Sequence, residues 1–342
     1  MNTADPTGET TVAETVSSAT RNTRTRKGIP HLFRPVFIVG NERSGTTLMA
    51  TLLDRHSRIA ATPETHVFYP CNEFIWKQHY ANPESLVRAI LDTERARDLG
   101  LTVTDVHCHS ISGTKAYEDA VEAILKAYAE RCGKPRVAEK SPFHVFHVRR
   151  ILKAYPHARI LCMVRDGRDA VLSLIKARWA HNDTRLHATR WRQIARITLA
   201  LERAYPERFM RVHFEQLLQN PEEELERVTE FIGEVFEPSM LVEAASAKTV
   251  PAWELEWKGK ALEQLDPSRV FAWRDAVNAD ERRLLNLAMG DALTALGYAD
   301  TNCNDCPTGA WIKHHTLNWV YRTAYASPLH MPLRAVKRVL GR

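Results

Sequence analysis

Val36-Phe-Ile-Val-Gly-Asn-Glu-Arg-Ser-Gly-Thr-Thr-Leu-Met49 decides the fold: a short apolar run meets a tight turn and then a helix. Val36 to Val39 read as a parallel strand buried on both faces, because an unbroken β-branched and aromatic run suits a strand with no solvent side. Gly40 and Gly45 give the turn its freedom. Between them and the helix, Ser44, Gly45, Thr46 and Thr47 direct backbone N–H groups and hydroxyls at the strand end, where the helix adds its positive dipole. That is a socket for an anion. The spacing Gly40-x4-Gly45-Thr46-Thr47 is that of the nucleotide triphosphate loop, with Thr46 where that loop carries its phosphate-reaching lysine. Arg43 is the nearest cation and approaches from another side, so the loop suits a phosphate but not an ordinary Mg-triphosphate.

Outward from this stretch, strands and helices alternate. Ile59-Ala60-Ala61 is a second strand, and Pro63 keeps the chain extended so that Glu64 emerges past its end. Ligands in open α/β sheets bind outside such ends, which makes Glu64 a general-base candidate with His66 as its rival. Residues 70 to 131 form a helical insertion, best defined at 83–92 and 115–131, that builds the acceptor side of a pocket. Arg136 to Lys140 is a third strand, delivering Lys140 to the same sheet edge, and His144 to Tyr155 is an amphipathic crossover helix. Arg159 to Val164 is a fourth strand ending in Arg165-Asp-Gly-Arg-Asp169 before a helix from Ala170 to Arg178. Arg165 and Ser173 aim a guanidinium and a hydroxyl at one place, which suits a terminal phosphate. A helix at 191–205 leads to a fifth strand, Phe209 to His213. Asn220-Pro221 then caps a helix whose three glutamates favour its dipole. Asp280 to Leu296 reads as one closing helix stopped at Gly297. This alternation predicts a doubly wound α/β sheet of about five parallel strands flanked by helices.

The chain has 342 residues, a net charge of +6 and a pI of about 9.0. That length buries a sizeable core, and the charge favours anionic ligands or surfaces. Residues 1–30 read as a disordered tail without the apolar centre of a signal peptide, residues 31–300 as the folded domain, and residues 301–342 as a basic aromatic extension suited to peripheral membrane contact. The scattered Cys71, Cys108, Cys132 and Cys162 are thiol usage of a reducing compartment, so the expected location is cytoplasmic, at most peripheral to the inner face of the membrane. Neither His107-Cys108-His109 nor Cys303-x2-Cys306 has the matching pair a metal site needs, so no metal is expected. No element carries a dense Lys/Arg face with interleaved aromatics, so nucleic acid is not an expected partner. The segment Trp253 to Lys260 reads as a lid or as plain surface.

Taken in order, Arg43-Ser-Gly-Thr-Thr-Leu-Met49, Pro63-Glu64-Thr65, Lys140-Ser-Pro142, Val164 to Asp169 with Ser173, and His213-Phe-Glu-Gln-Leu217 resemble the sulfotransferases that use 3′-phosphoadenosine-5′-phosphosulfate, over about residues 34 to 298. The pattern looks closest to the tyrosylprotein and bacterial branches. The resemblance implies a P-loop-like fold in which Arg43 to Thr47 hold the 5′-phosphosulfate and Arg165 and Ser173 hold the 3′-phosphate. Phe214, where the family usually has Tyr, would stack on adenine without a hydroxyl bond. The family's basic-glycine loop is matched only faintly, by Lys258-Gly259-Lys260. By the same likeness Glu64 is the base, and Arg43 and Lys140 stabilise the departing group during in-line transfer to an acceptor hydroxyl on a sugar, lipid, phenol or peptide. The alternative is an atypical P-loop kinase or nucleotide hydrolase, which would require the loop lysine that Thr46 replaces.

Overall fold

A computed structural model describes residues 32–68, 76–177, 180, 183–242, 250–259 and 265–298. The N-terminal tail, the C-terminal extension, Cys71, Cys303, Cys306, Arg178 and Lys260 lie outside the described residues, as does the side chain of Lys258.

Five strands form one parallel sheet: β1 (Val36–Gly40), β2 (Ile59–Ala61), β3 (Arg136–Lys140), β4 (Arg159–Val164) and β5 (Phe209–His213), in the order β2-β3-β1-β4-β5. In register, β1 sets Ile38 against Lys140 of β3 on one side and against Leu161 of β4 on the other. Val36 to Val39 are fully buried. Alternate side chains explain why: Phe37 and Val39 enter the core on one face of the sheet, Val36 and Ile38 that on the other. Each such large apolar side chain contributes about 1.5–3 kcal/mol.

Helix α1 (Thr46–Asp54) follows β1 directly. Helices α2 (Pro83–Leu91) and α3 (Ala116–Arg131), with several short 3₁₀ turns, form an insertion between β2 and β3. It packs through Tyr117, whose ring stacks on Trp76 at 5.0 Å and whose hydroxyl donates to the Val67 carbonyl. Next come α4 (Val148–Ala154), α5 (Gly167–Ile175), α6 (Thr184–Ala204), α7 (Phe214–Gln219) and α8 (Pro221–Ile232), then α9 (Ala279–Met289) and α10 (Asp291–Ala295).

Four local expectations are corrected. The span before α4 is a 3₁₀ helix, Pro142–His147, because Pro142 opens it and the His144 N–H bonds back to the Ser141 carbonyl at 3.0 Å. The helix after β4 starts at Gly167, not Ala170, because Asp166 caps it by accepting from the Arg168 N–H at 2.9 Å. Asn220 stands at the cap position of α8 but does not cap it; its amide turns back to Gln216, since the residue also terminates α7. The closing helix is two helices, broken at Gly290, whose φ of 54° and ψ of −135° leave the helical region.

Candidate active site

The site residues leave the carboxyl ends of all five strands, around the point where β1 is flanked by β3 and β4. In such a sheet the chain departs in opposite directions from neighbouring strands there, and the crevice opens.

The turn after β1 holds three positive φ values, at Gly40 (144°), Arg43 (62°) and Gly45 (89°). Such a run turns successive N–H groups towards one centre. Gly45 is the N-cap of α1 and makes no side-chain cap, so the helix start keeps its donors for a ligand. A β-carbon at Gly45 would lie 2.5 Å from the Phe214 ring, so only glycine fits. The Ser44 hydroxyl is buried and has no hydrogen-bond partner among the described residues.

Beside the loop three arginines gather. Arg165, 5% exposed, lies 4.5 Å over the Phe214 ring and donates to the carbonyls of Arg43 (3.3 Å) and Arg269 (2.9 Å). Among the described residues its closest carboxylate oxygen, on Asp169, is 3.7 Å away, and its Nε is buried without a partner. Arg269 stands 5.2 Å from the same ring. Arg43 donates from Nε to Ser173 Oγ at 3.0 Å. Burial and then repulsion from Arg269 and Arg165 push the Arg43 pKa down, and burial pushes Arg165 down as well. Like charges held this close favour a bound anion.

A second group forms across the crevice. Lys140, fully buried, holds Glu64 Oε1 at 3.1 Å, and His66 Nε2 lies 3.2 Å from Glu64 Oε2. Glu64 is only 11% exposed and His66 20%. Arg95 of the insertion faces this carboxylate: burial opposes its charge, but Glu64 and Glu254 outweigh burial and raise its pKa. Arg95 also pairs with buried Glu254 at 2.6 Å and lies 4.6 Å over the Trp253 ring. The segment read as a lid or surface is therefore docked on the insertion at Trp253 and Glu254.

Two expectations about these residues change. Arg43, expected with Lys140 to stabilise the departing group, donates to Ser173 and lies on the arginine side of the crevice. Phe214, expected to offer a stacking face, is 1% exposed, with its ring packed against Gly45 and under Arg165. It supports the loop from beneath.

A polar frame fixes the arginine side. Glu215 accepts from the Asp166 N–H at 2.9 Å and from the Tyr298 hydroxyl at 2.7 Å; burial raises its pKa. His213 Nδ1 lies 2.8 Å from the same hydroxyl, and its pKa is lowered to about 4, chiefly by burial. Trp273 donates its N–H to Asp169 at 2.8 Å and its indole N–H to Asp166 at 3.1 Å. A cleft of about 550 Å³ adjoins this frame, with Arg211, His213, Gln216 and Tyr298 among its walls.

Sequence reading missed Arg269, Arg95 and Trp273. Arg269 had one weak signal: Asp266-Pro-Ser-Arg269 is a capped turn in which the Asp266 carboxylate accepts from the Ser268 N–H at 3.0 Å.

A model of the sulfotransferase family matches residues 35–238, more than half of the chain. The chain belongs to the sulfotransferase family. That span holds the loop, Glu64, Lys140, Arg165, Ser173 and Phe214; Arg269 lies beyond it. Among curated relatives, this sulfotransferase is 28% identical over 203 residues to protein-tyrosine sulfotransferase A of Caenorhabditis elegans, covering 58% of this chain and 49% of that one. It is 26% identical over 295 residues to the protein-tyrosine sulfotransferase of Drosophila melanogaster, covering 82% and 55%. The chain thus spans about half the length of these two relatives. Among solved structures it is similar to the sulfotransferase domain of the Synechococcus PCC 7002 olefin synthase, with a TM-score of 0.54, 21% identity, and 81% and 98% of the two chains covered. The sulfotransferase domain from the curacin biosynthetic pathway matches with a TM-score of 0.54 and 18% identity, covering 78% and 99%. These two likenesses establish the fold: a five-stranded parallel sheet flanked by helices.

Proposed function

We propose that this sulfotransferase uses 3′-phosphoadenosine-5′-phosphosulfate as donor and transfers its sulfonyl group to an acceptor hydroxyl, with Glu64 as general base. The observation that carries this reading is the split of the crevice into an anion pocket and a buried acid–base pair on either side of one glycine loop. The loop, with its open helix start and the unpartnered Ser44 hydroxyl, fits the 5′ end of the donor. Arg165, Ser173, Arg43 and Arg269 fit the 3′-phosphate, the group that separates this donor from a triphosphate.

The donor supplies an activated sulfur with a phosphate leaving group. Glu64 takes the acceptor's proton as the acceptor oxygen bonds to sulfur; the bond from sulfur to the bridging oxygen breaks, and its electron pair leaves on the 5′-phosphate. Products are a sulfate ester and the 3′,5′-bisphosphate. Lys140 and the loop N–H groups stabilise the growing negative charge. Arg43 acts from the anion pocket.

Likeness to protein-tyrosine sulfotransferases favours a tyrosine-bearing peptide among the acceptors. The free thiols of Cys108, Cys132 and Cys162 agree with a proposed cytoplasmic site of action, at most peripheral to the membrane's inner face. The test is incubation with the ³⁵S-labelled donor and a Glu/Tyr copolymer, a simple phenol, a sugar and a lipid headgroup in parallel. Label transfer to at least one, with release of the bisphosphate and no transfer from labelled ATP, is expected. Transfer from ATP alone would overturn the reading in favour of a kinase.

A further inference from the structure

The segment that carries Glu64 has no regular structure, and His66 within it holds a left-handed φ of 53°. Its four consecutive N–H groups from Thr65 to Phe68 nevertheless all have partners. Those of Thr65 and His66 donate to Ser141 Oγ at 3.2 and 3.1 Å, that of Val67 to Thr65 Oγ1 at 3.4 Å, and that of Phe68 to His144 Nε2 at 3.2 Å. Three side chains therefore receive the whole segment. Each of the three passes its own hydrogen to one carboxylate, that of Glu139. Thr65 Oγ1 and Ser141 Oγ donate to its Oε1 at 2.6 Å each, and His144 Nδ1 lies 2.9 Å from its Oε2. Because Nε2 accepts from Phe68, the donating hydrogen of His144 sits on Nδ1.

Glu139, Ser141 and His144 are fully buried, and Thr65 is 1% exposed. Burial alone would raise the Glu139 pKa; His144 and the two hydroxyl donors outweigh it, and the carboxyl ionises below its usual range. An ionised carboxylate is acceptor-only, so it dictates where three hydrogens point and hence which lone pairs face the segment. Glu139 also directly precedes Lys140 on β3, so one strand end fixes both Glu64 and its cationic partner.

We propose that Glu139, acting through Ser141 and His144, is a positioning residue that holds Glu64 in line with Lys140 and with the acceptor hydroxyl. The inference rests on the reading of Glu64 as the base. Glu139 itself touches no reacting atom. Its amide counterpart could not accept from all three donors, and loss of Ser141 Oγ would free the two peptide N–H groups that follow Glu64. A misplacement of about 1 Å in a base costs about 100-fold in turnover.

The experiment is a double-variant cycle on the full chain, read as transfer from labelled donor to the Glu/Tyr copolymer, with water as the acceptor when no copolymer is added. Ser141→Ala is expected to lower kcat about 10–100-fold, with binding of 3′,5′-bisphosphate unchanged within about twofold. In the Glu64→Gln background the same change should add less than about twofold, since no base remains to misplace. Glu139→Gln should follow the same pattern; if it does not fold, the Ser141→Ala arm decides alone. Full kcat in Ser141→Ala beside a collapsed Glu64→Gln would overturn the positioning role and leave the base in place. Multiplying losses, or a matching loss of bisphosphate binding, would overturn it too. Full activity of Glu64→Gln would remove the base reading and this inference together.

Discussion

The two sides of the crevice are built on opposite electrostatic plans. On the β2–β3 side, charges are balanced before any substrate arrives: Glu64 sits between Lys140 and His66, with Arg95 beyond. On the β4–β5 side, three arginines share a pocket; burial with repulsion from Arg269 and Arg165 pushes the Arg43 pKa down, and among the described residues the nearest carboxylate oxygen to Arg165 is 3.7 Å away. A balanced pair suits a proton that must move, because neither partner is locked by an excess of one sign. An unbalanced cluster suits a ligand whose own charge stays put. Association with a fixed anion relieves repulsion that the folded protein already carries.

The comparison is broken most sharply at Glu64. Glu64→Gln keeps the shape and removes the proton acceptor, so turnover should fall about 1,000-fold while 3′,5′-bisphosphate binding, measured calorimetrically, barely changes. If instead both fall together, the two sides are not separate. Next comes Arg165→Ala, expected to weaken the bisphosphate about 100-fold and adenosine 5′-monophosphate only a few-fold. Equal losses for the two nucleotides would erase the assignment of this pocket to the 3′-phosphate. Arg269→Ala sharpens the same contrast at lower amplitude: about tenfold weaker bisphosphate binding, with kcat at saturating donor within about threefold. An unchanged dissociation constant would remove Arg269 from the pocket.

The smallest effect concerns the frame behind the arginines. His213 in the folded chain protonates only at about 4, against 6.5 for an ordinary histidine. Between those values the unfolded chain binds a proton that the folded one refuses, so stability falls as pH drops from 6.5 towards 4. Urea midpoints for wild type should decline across that window, and His213→Gln should flatten the decline by on the order of 1 kcal/mol. Parallel curves would show that the histidine is not held neutral by its setting.

Much of the sheet could be read from residues alone. Strands buried on both faces announce themselves as unbroken apolar runs, and β1 and β4 did so. Glu64, Lys140 and Arg165 were locatable because each stands at or just past a strand end with a Pro or Gly close by. Arg269 was not, since it reaches the pocket from a turn more than 100 residues beyond Arg165, and a single capped turn carries no periodicity. The aim of Arg43 and the covered face of Phe214 were equally hidden: both depend on the left-handed backbone at residues 43 and 45 and on what packs there in three dimensions. The division of the closing helix turned on the backbone of one glycine, which the apolar pattern across 280–296 does not register.

Tyr117 ties the insertion to the Val67 carbonyl, three residues past Glu64. On the proposed reading, substitutions on the exposed face of residues 76–131 would alter which hydroxyl compound is admitted and leave the nucleotide unchanged, whereas those at Tyr117, or at Tyr128 with its bond to the Ala61 carbonyl, would disturb the frame as well.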